Sequence, residues 1–168
     1  MKIGILGGSF DPAHKGHLAI SKEAKKRFKL EKIIWAITKR NPLKAESKTP
    51  ISKKIKDCKK IIGLNSFIKV KFYENIIKSN KTIDLINYLK KNRNIEIFFL
   101  MGADNLISFH KWHKSKLISQ KCNIIVFDRH GYKKNSLKSK TFKRLNNKTL
   151  TFVEFKKVNI SSSQLRKI

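Results

Sequence analysis

Gly7-Gly8-Ser9-Phe10-Asp11-Pro12-Ala13-His14-Lys15-Gly16-His17 sets two imidazoles around a glycine, a few residues after a glycine pair. Lacking a Cβ, Gly7 and Gly8 let backbone approach a ligand closely. The helix that the following pattern predicts has unpaired N–H groups and a partial positive charge at its start, a good place for phosphate. Imidazolium groups at His14 and His17 would each donate a hydrogen bond to a polyphosphate and to charge developing on it. Two histidines at this spacing could instead ligate a metal, but no zinc-type ligand set accompanies them and no protein-held metal is expected. The stretch is neither a Walker loop nor a GxGxxG fingerprint.

A second group stands near the other end, Ile160-Ser161-Ser162-Ser163-Gln164-Leu165-Arg166. Ser161 and Gln164 have capping-box spacing at a helix start. The N–H groups and hydroxyls of Ser161 and Ser162 can take phosphate oxygens, and Arg166, a turn on, can clamp them. Alone, such a serine-rich segment would read as a disordered tail. Beside the two histidines, the phosphate reading is the stronger one.

Short apolar runs alternating with helix-period segments must position these residues. Ile3-Gly4-Ile5-Leu6 reads as a first strand, and Leu18 to Phe28 as a helix with Ile20, Ala24 and Phe28 on one face. Lys32 to Ile37 is a second strand. Thr49 as N-cap and Pro50 at the first helical position open a helix whose apolar face is Ile51, Ile55, Cys58 and Ile62. Phe67 to Phe72 is a third strand, and Thr82 caps a helix through Leu89 with Asp84 in its first turn. Ile95 to Met101, Asn123 to Phe127 and Leu150 to Phe155 complete the strands, with the lysine-rich 131–149 stretch as a loop holding at most one helical turn near Phe142. This alternation predicts an α/β fold in one domain, residues 1–168, with right-handed crossovers and a mainly parallel sheet covered by helices on both faces. Ligands in such sheets bind beyond the carboxyl ends of the strands, near the switch point, so the residues just after each strand matter most.

With 40 Lys and Arg against 11 Asp and Glu, the net charge of +29 would suit a polyanion. The lysines are spread along the chain among many Asn and Ile, as in a compositional bias on solvated faces, so nucleic acid is not expected as a partner. No apolar run approaches the roughly 20 residues of a membrane helix, and the start lacks the pattern of a signal peptide. Cys58 and Cys122, far apart, predict two buried thiols in a cytoplasmic protein. Nothing in the sequence speaks to oligomeric state.

Gly8-Ser9-Phe10-Asp11-Pro12 with His14-Lys15-Gly16-His17 resembles the GxFDPxHxGH signature of the nucleotidyltransferase superfamily, and Ile160 to Arg166 resembles its ISSTxxR signature. The likeness implies a Rossmann-like fold and nucleotidyl transfer from a nucleoside triphosphate. By it, His14 and His17 hold the triphosphate and stabilise the transition state, while Gly7, Gly8, Ser9, Phe10, Gly16, Ile160, Ser161, Ser162 and Arg166 bind ATP. Mg²⁺ is expected on the phosphates of ATP, with no dedicated protein cage. Within the superfamily, Gly102-Ala103-Asp104 followed eight residues later by Trp112 is similar to the GAD…W element of nicotinate-nucleotide adenylyltransferases. That likeness implies Gly102 and Asp104 at the ATP, Asp104 accepting from ribose hydroxyls, and Trp112 stacked on the pyridine of nicotinate mononucleotide, worth about 0.5–1.5 kcal/mol beyond burial. Taken alone, Trp112 would be a core or rim aromatic.

Arg129-His130-Gly131 resembles the same family's RPG turn, putting Arg129 near the adenine or phosphates. Lys81-Thr82-Ile83-Asp84 resembles its YTxDT segment, whose helix-start amides receive the nicotinate carboxylate at Thr82. Lys44 of Asn41-Pro42-Leu43-Lys44 matches the lysine of a PPHK-like loop. The histidine of that loop is missing, Lys81 stands for Tyr and His130 for Pro, and the last helix is short. These departures touch the acceptor side more than nucleotide transfer. Phosphopantetheine adenylyltransferases share both signatures, but the Gly102-to-Trp112 element argues for adenylyl transfer from ATP to nicotinate mononucleotide, with phosphopantetheine as the alternative acceptor and nicotinate against nicotinamide left open. A basic nucleic-acid module and a family member that binds without turnover are the alternatives of other kinds.

Overall fold

The computed structural model describes residues 1–39, 48–92, 94–128, 131–145 and 148–154. Along the chain come β1 (Lys2–Gly8), α1 (Lys15–Phe28), β2 (Lys32–Ile37), α2 (Ile51–Ile62), β3 (Ile68–Lys71), α3 (Glu74–Ile77) and α4 (Thr82–Leu89). They are followed by β4 (Glu96–Gly102), α5 (Ala103–Ser108), a 3₁₀ turn (Phe109–Lys111), α6 (Ser115–Lys121), β5 (Asn123–Phe127), α7 (Lys133–Leu137), α8 (Lys140–Leu145) and β6 (Leu150–Val153).

The six strands form one sheet in the order β3-β2-β1-β4-β5-β6, and every neighbouring pair is parallel. This is the Rossmann-like order, with the reversal between β1 and β4. Alternate side chains along each strand enter two separate cores. On one face Ile3, Ile5, Phe99, Met101, Ile124 and Val126 pack against Ile83 and Ile86 of α4, Leu106 of α5 and Ile118 of α6. On the other, Leu6, Trp35, Leu100 and Ile125 pack against Ala24 of α1 and Cys58 and Ile62 of α2. Gly4 is required by the second core: a Cβ there would lie 2.9 Å from Leu30 Cδ1 and 3.1 Å from Ile33 Cγ1. Any larger residue would push out Leu30, which is where the chain returns from α1 into β2.

Several predicted boundaries move, each for a local reason. The first helix starts at Lys15, three residues before Leu18, because His14 caps it. Thr49 is not an N-cap: Pro50 holds that position with no side-chain cap, and the Thr49 hydroxyl donates to Asp11 Oδ1 at 2.6 Å instead. Thr82 is the first helical residue of α4 and Lys81 the cap, with no side-chain cap; Ser79 Oγ, just before, accepts from the Lys81 N–H at 3.0 Å and donates to Asp84 Oδ2 at 2.6 Å. The third strand shortens to Ile68–Lys71 and the fourth shifts to Glu96–Gly102. The last is described as Leu150–Val153. The predicted 131–149 loop holds two short helices, α7 and α8, with Ser136, Thr141 and Leu145 buried. The helices α3, α5 and α6 were also not predicted, since each is too short to display a helical period.

Candidate active site

The carboxyl ends of β1 and β4 lie side by side at the reversal point of the sheet. Leu6 pairs with Leu100, and the same register carried two residues on brings Gly8 level with Gly102. Gly7 is exposed there, and a Cβ on it would meet only Phe99 Cζ at 3.6 Å; one on Gly8 would meet the Phe10 ring at 3.6 Å. Both are ordinary van der Waals separations, so the protein's own packing does not demand glycine at either position. A close-lying ligand would.

α1 starts above these glycines, and its start is built from the two histidines. His14 has extended backbone (φ −149°, ψ 174°), and its Nδ1 accepts the Gly16 N–H at 3.0 Å. His17 Nδ1 reaches back to accept the His14 N–H at 3.1 Å. The reciprocity is that of a capping box, with imidazoles in place of the usual serine and glutamate. With each Nδ1 turned to a backbone N–H, the ring nitrogen that can donate onward from either imidazole is Nε2. The two rings lie 3.9 Å apart, His14 buried and His17 partly buried, with Gly16 buried between them.

The loop before them is held tightly. Ser9 is partly buried, and Phe10 is buried with φ of 48°, a left-handed conformation that costs a residue with a Cβ about 1–2 kcal/mol. Behind the loop, the Thr38 N–H donates to the Gly8 carbonyl at 2.9 Å. Thr38 Oγ1 donates to Glu74 Oε1, and the Lys39 N–H donates to Glu74 Oε2 at 3.3 Å. Lys54, only 1% exposed, places its Nζ 3.5 Å from the Thr38 carbonyl oxygen. Sequence reasoning missed Thr38, Glu74 and Lys54. For Lys54 a signal existed: it lies three residues after Ile51 and four before Cys58, on the apolar stripe of α2.

Across the reversal point, Gly102 caps α5 in extended conformation (φ −79°, ψ 159°) and Asp104 stands in the first turn of that helix, partly buried. Trp112 is partly buried and packs edge-on to Phe99 (5.8 Å, 85°) and obliquely on Phe109 (5.1 Å, 55°). Trp112 belongs to the same core as Ile83 and Ile86 of α4, the helix that Thr82 opens. The structure thus brings Gly7, Gly8, Ser9, Phe10, His14, Gly16, His17, Gly102 and Asp104 to one end of the sheet, with Thr82 and Trp112 in the layer on its α4 face. Lys44, Arg129, Ile160, Ser161, Ser162 and Arg166 lie outside the described residues.

Burial pushes both thiols up to about 12, with Asp57 adding to the effect at Cys58 and Lys54 opposing it. They are free, buried and far from thiolate chemistry at neutral pH. Among the described residues no group of three or more His, Cys, Asp or Glu side chains could hold a metal ion, and no helix is long and apolar enough to cross a membrane.

The cytidylyltransferase-like family model matches residues 5–168. A curated protein of Pelagibacter ubique, "Probable nicotinate-nucleotide adenylyltransferase", is 68% identical over 167 residues, covering 99% of this chain and 93% of that protein. A Bradyrhizobium protein of the same description is 36% identical over 130 residues, 77% of this chain and 68% of its own length. Among solved structures, the Plasmodium falciparum nicotinic acid mononucleotide adenylyltransferase complexed with NaAD superposes with a TM-score of 0.81 at 24% identity, over 99% of this chain and 82% of that one. That structure shares the fold. Identity at the level of the Pelagibacter relative, sustained across nearly the whole of both chains, shows more than a shared fold: the chain belongs to the nicotinate-nucleotide adenylyltransferase family.

Proposed function

We infer that the protein transfers the adenylyl group of ATP to nicotinate mononucleotide, giving nicotinate adenine dinucleotide and pyrophosphate in NAD biosynthesis. The 68% identity to the Pelagibacter relative carries this reading. The Plasmodium structures of the same fold, one complexed with NaAD and one with APC, support it. A phosphate oxygen of the mononucleotide attacks the α-phosphorus of ATP in line, the bond from that phosphorus to the β-phosphate oxygen breaks, and pyrophosphate leaves. No protein nucleophile is needed, so positioning and charge stabilisation do the work.

In this reading the triphosphate lies over Gly7 and Gly8 at the start of α1. His14 and His17 donate from Nε2 to its oxygens as negative charge moves toward the leaving pyrophosphate. Ser161, Ser162 and Arg166 are assigned to the same phosphates, Arg129 to the adenine or phosphates, Asp104 to the ribose, and Thr82, Trp112 and Lys44 to the acceptor. Mg²⁺ bound to the triphosphate would neutralise part of its charge. The ion is assigned to the nucleotide and not to a cage of protein side chains. We place the protein in the cytoplasm and give nucleic acid no part in its work, the lysines being spread over solvated faces.

Pyrophosphate release from Mg-ATP, with nicotinate mononucleotide, nicotinamide mononucleotide and phosphopantetheine offered in parallel, tests the reading. Release favouring nicotinate mononucleotide by at least about tenfold in kcat/KM, the equivalent of 1.4 kcal/mol, is expected. Turnover of phosphopantetheine alone would keep the transfer chemistry and overturn the acceptor. Silence with all three, from folded protein, would overturn the activity.

A further inference from the structure

Trp35, in the middle of β2, is fully buried and touches the histidine site by three routes. Its indole stacks on Phe10 (5.2 Å, 17° between planes), and Phe10 in turn packs on His17 at 4.6 Å. It also meets the His17 ring directly, at 5.7 Å and 56°. Its Nε1–H donates to Ser21 Oγ at 2.8 Å, and that hydroxyl donates to the His17 carbonyl at 2.8 Å. Ser21 is fully buried, so indole and hydroxyl satisfy each other where water cannot. The sequence of rings runs Trp35, Phe10, His17, His14, from a central strand outward to the site.

We propose that Trp35 is a positioning residue of the transfer reaction, fixing the His17 ring through the Phe10 stack and the His17 backbone through Ser21. The inference rests on the reading that His17 acts on the triphosphate. A strand side chain has little freedom to shift, since β2 is paired on both sides, Trp35 opposite Leu6 and Val70. Removing the indole takes away the backing of Phe10 and the donor to Ser21, so the His17 ring loses support on that side and its Nε2 shifts relative to the phosphates. Misplacement by about 1 Å can cost roughly 100-fold in rate. A donor that acts on developing charge should lose kcat and leave KM nearly alone.

The test compares Trp35→Leu, Trp35→Phe, Ser21→Ala, His17→Ala and a remote core variant, Ile125→Ala, chosen because Ile125 is buried in the same layer on β5. Trp35→Leu is expected to lower kcat roughly 10- to 100-fold with KM for both substrates within about twofold. Trp35→Phe, which keeps a ring against Phe10, should recover most of that loss. Ser21→Ala, nearly isosteric, should lose a few-fold in kcat and serves as the decisive variant if Trp35→Leu does not fold. Ile125→Ala should lower the thermal midpoint comparably and keep kcat. If Trp35→Leu, or Ser21→Ala in its place, loses no more kcat than Ile125→Ala while His17→Ala is severely impaired, the positioning role is wrong and the histidine assignment stands. Normal turnover by His17→Ala would remove both.

Discussion

The α1–α2 layer and the α4–α6 layer flank the same sheet, but they are engineered to different tightness where they meet the site. On the α1 side, a left-handed Phe10, two mutually capping imidazoles, the Asp11–Thr49 hydrogen bond and the Thr38 bond to the Gly8 carbonyl fix every turn of the loop. On the α4 side, Trp112 rests on Phe99 and Phe109 as a core aromatic would, and Thr82 begins a helix that Ser79 and Lys81 prepare. The first arrangement suits a step in which donors must meet moving charge at set distances. The second suits recognition of a ring, where one apolar face and a few amides suffice. On the proposed function, the difference matches a long signature on the phosphate side and short elements on the acceptor side.

Breaking the tight side should have the largest effect. His17→Ala is expected to lower kcat by about 100- to 1,000-fold, as loss of one transition-state donor does, while circular dichroism shows the fold retained. A kcat near that of the parent would remove His17 from the chemistry and leave it a helix cap. On the looser side, Trp112→Ala should raise KM for the mononucleotide several-fold, about 1 kcal/mol of stacking, and spare KM for ATP. Equal changes in both constants would make Trp112 a core residue only and erase the contrast drawn between the layers. The smallest effect is one the two layers should share. Cys58 sits in one core and Cys122 in the other, both with thiols pushed up to about 12. At pH 8 roughly one thiol in ten thousand is ionised, so a disulfide reagent should label neither until the protein is denatured. Because the folded values stand above the ordinary 9.0, unfolded thiols ionise first as pH rises past 9, and this pair then favours unfolding. Rapid labelling of Cys58 alone would show the α2 side to be open, contrary to its burial.

Much of the fold was readable because parallel strands buried on both faces announce themselves as apolar runs. β2 and β5 fall where the residues predict, at Lys32–Ile37 and Asn123–Phe127. The helix start at Lys15 was hidden because no propensity scale treats histidine as a capping pair, yet the imidazole nitrogens do what serine and glutamate oxygens do elsewhere. The α7–α8 segment looked like a loop because its buried positions include Ser136 and Thr141, small polar residues that carry no apolar period. At the site, the glycines and histidines were legible by type and spacing. Trp35, Ser21 and Thr38 were not, because their importance lies in contacts between elements far apart in sequence.

The imidazole capping pair has a consequence for anyone improving this protein. A designer seeking a firmer helix start would turn first to serine at position 14 and glutamate at position 17, the standard box. Those changes would keep the α1 hydrogen bonds and replace both Nε2 donors, one of them with a carboxylate where the proposed function puts the triphosphate. If His14 and His17 act as proposed, the variant would keep its helix start and lose adenylyl transfer. Stabilisation by rule would here be a way of disarming the enzyme, and stability screens run without an activity assay would select for it.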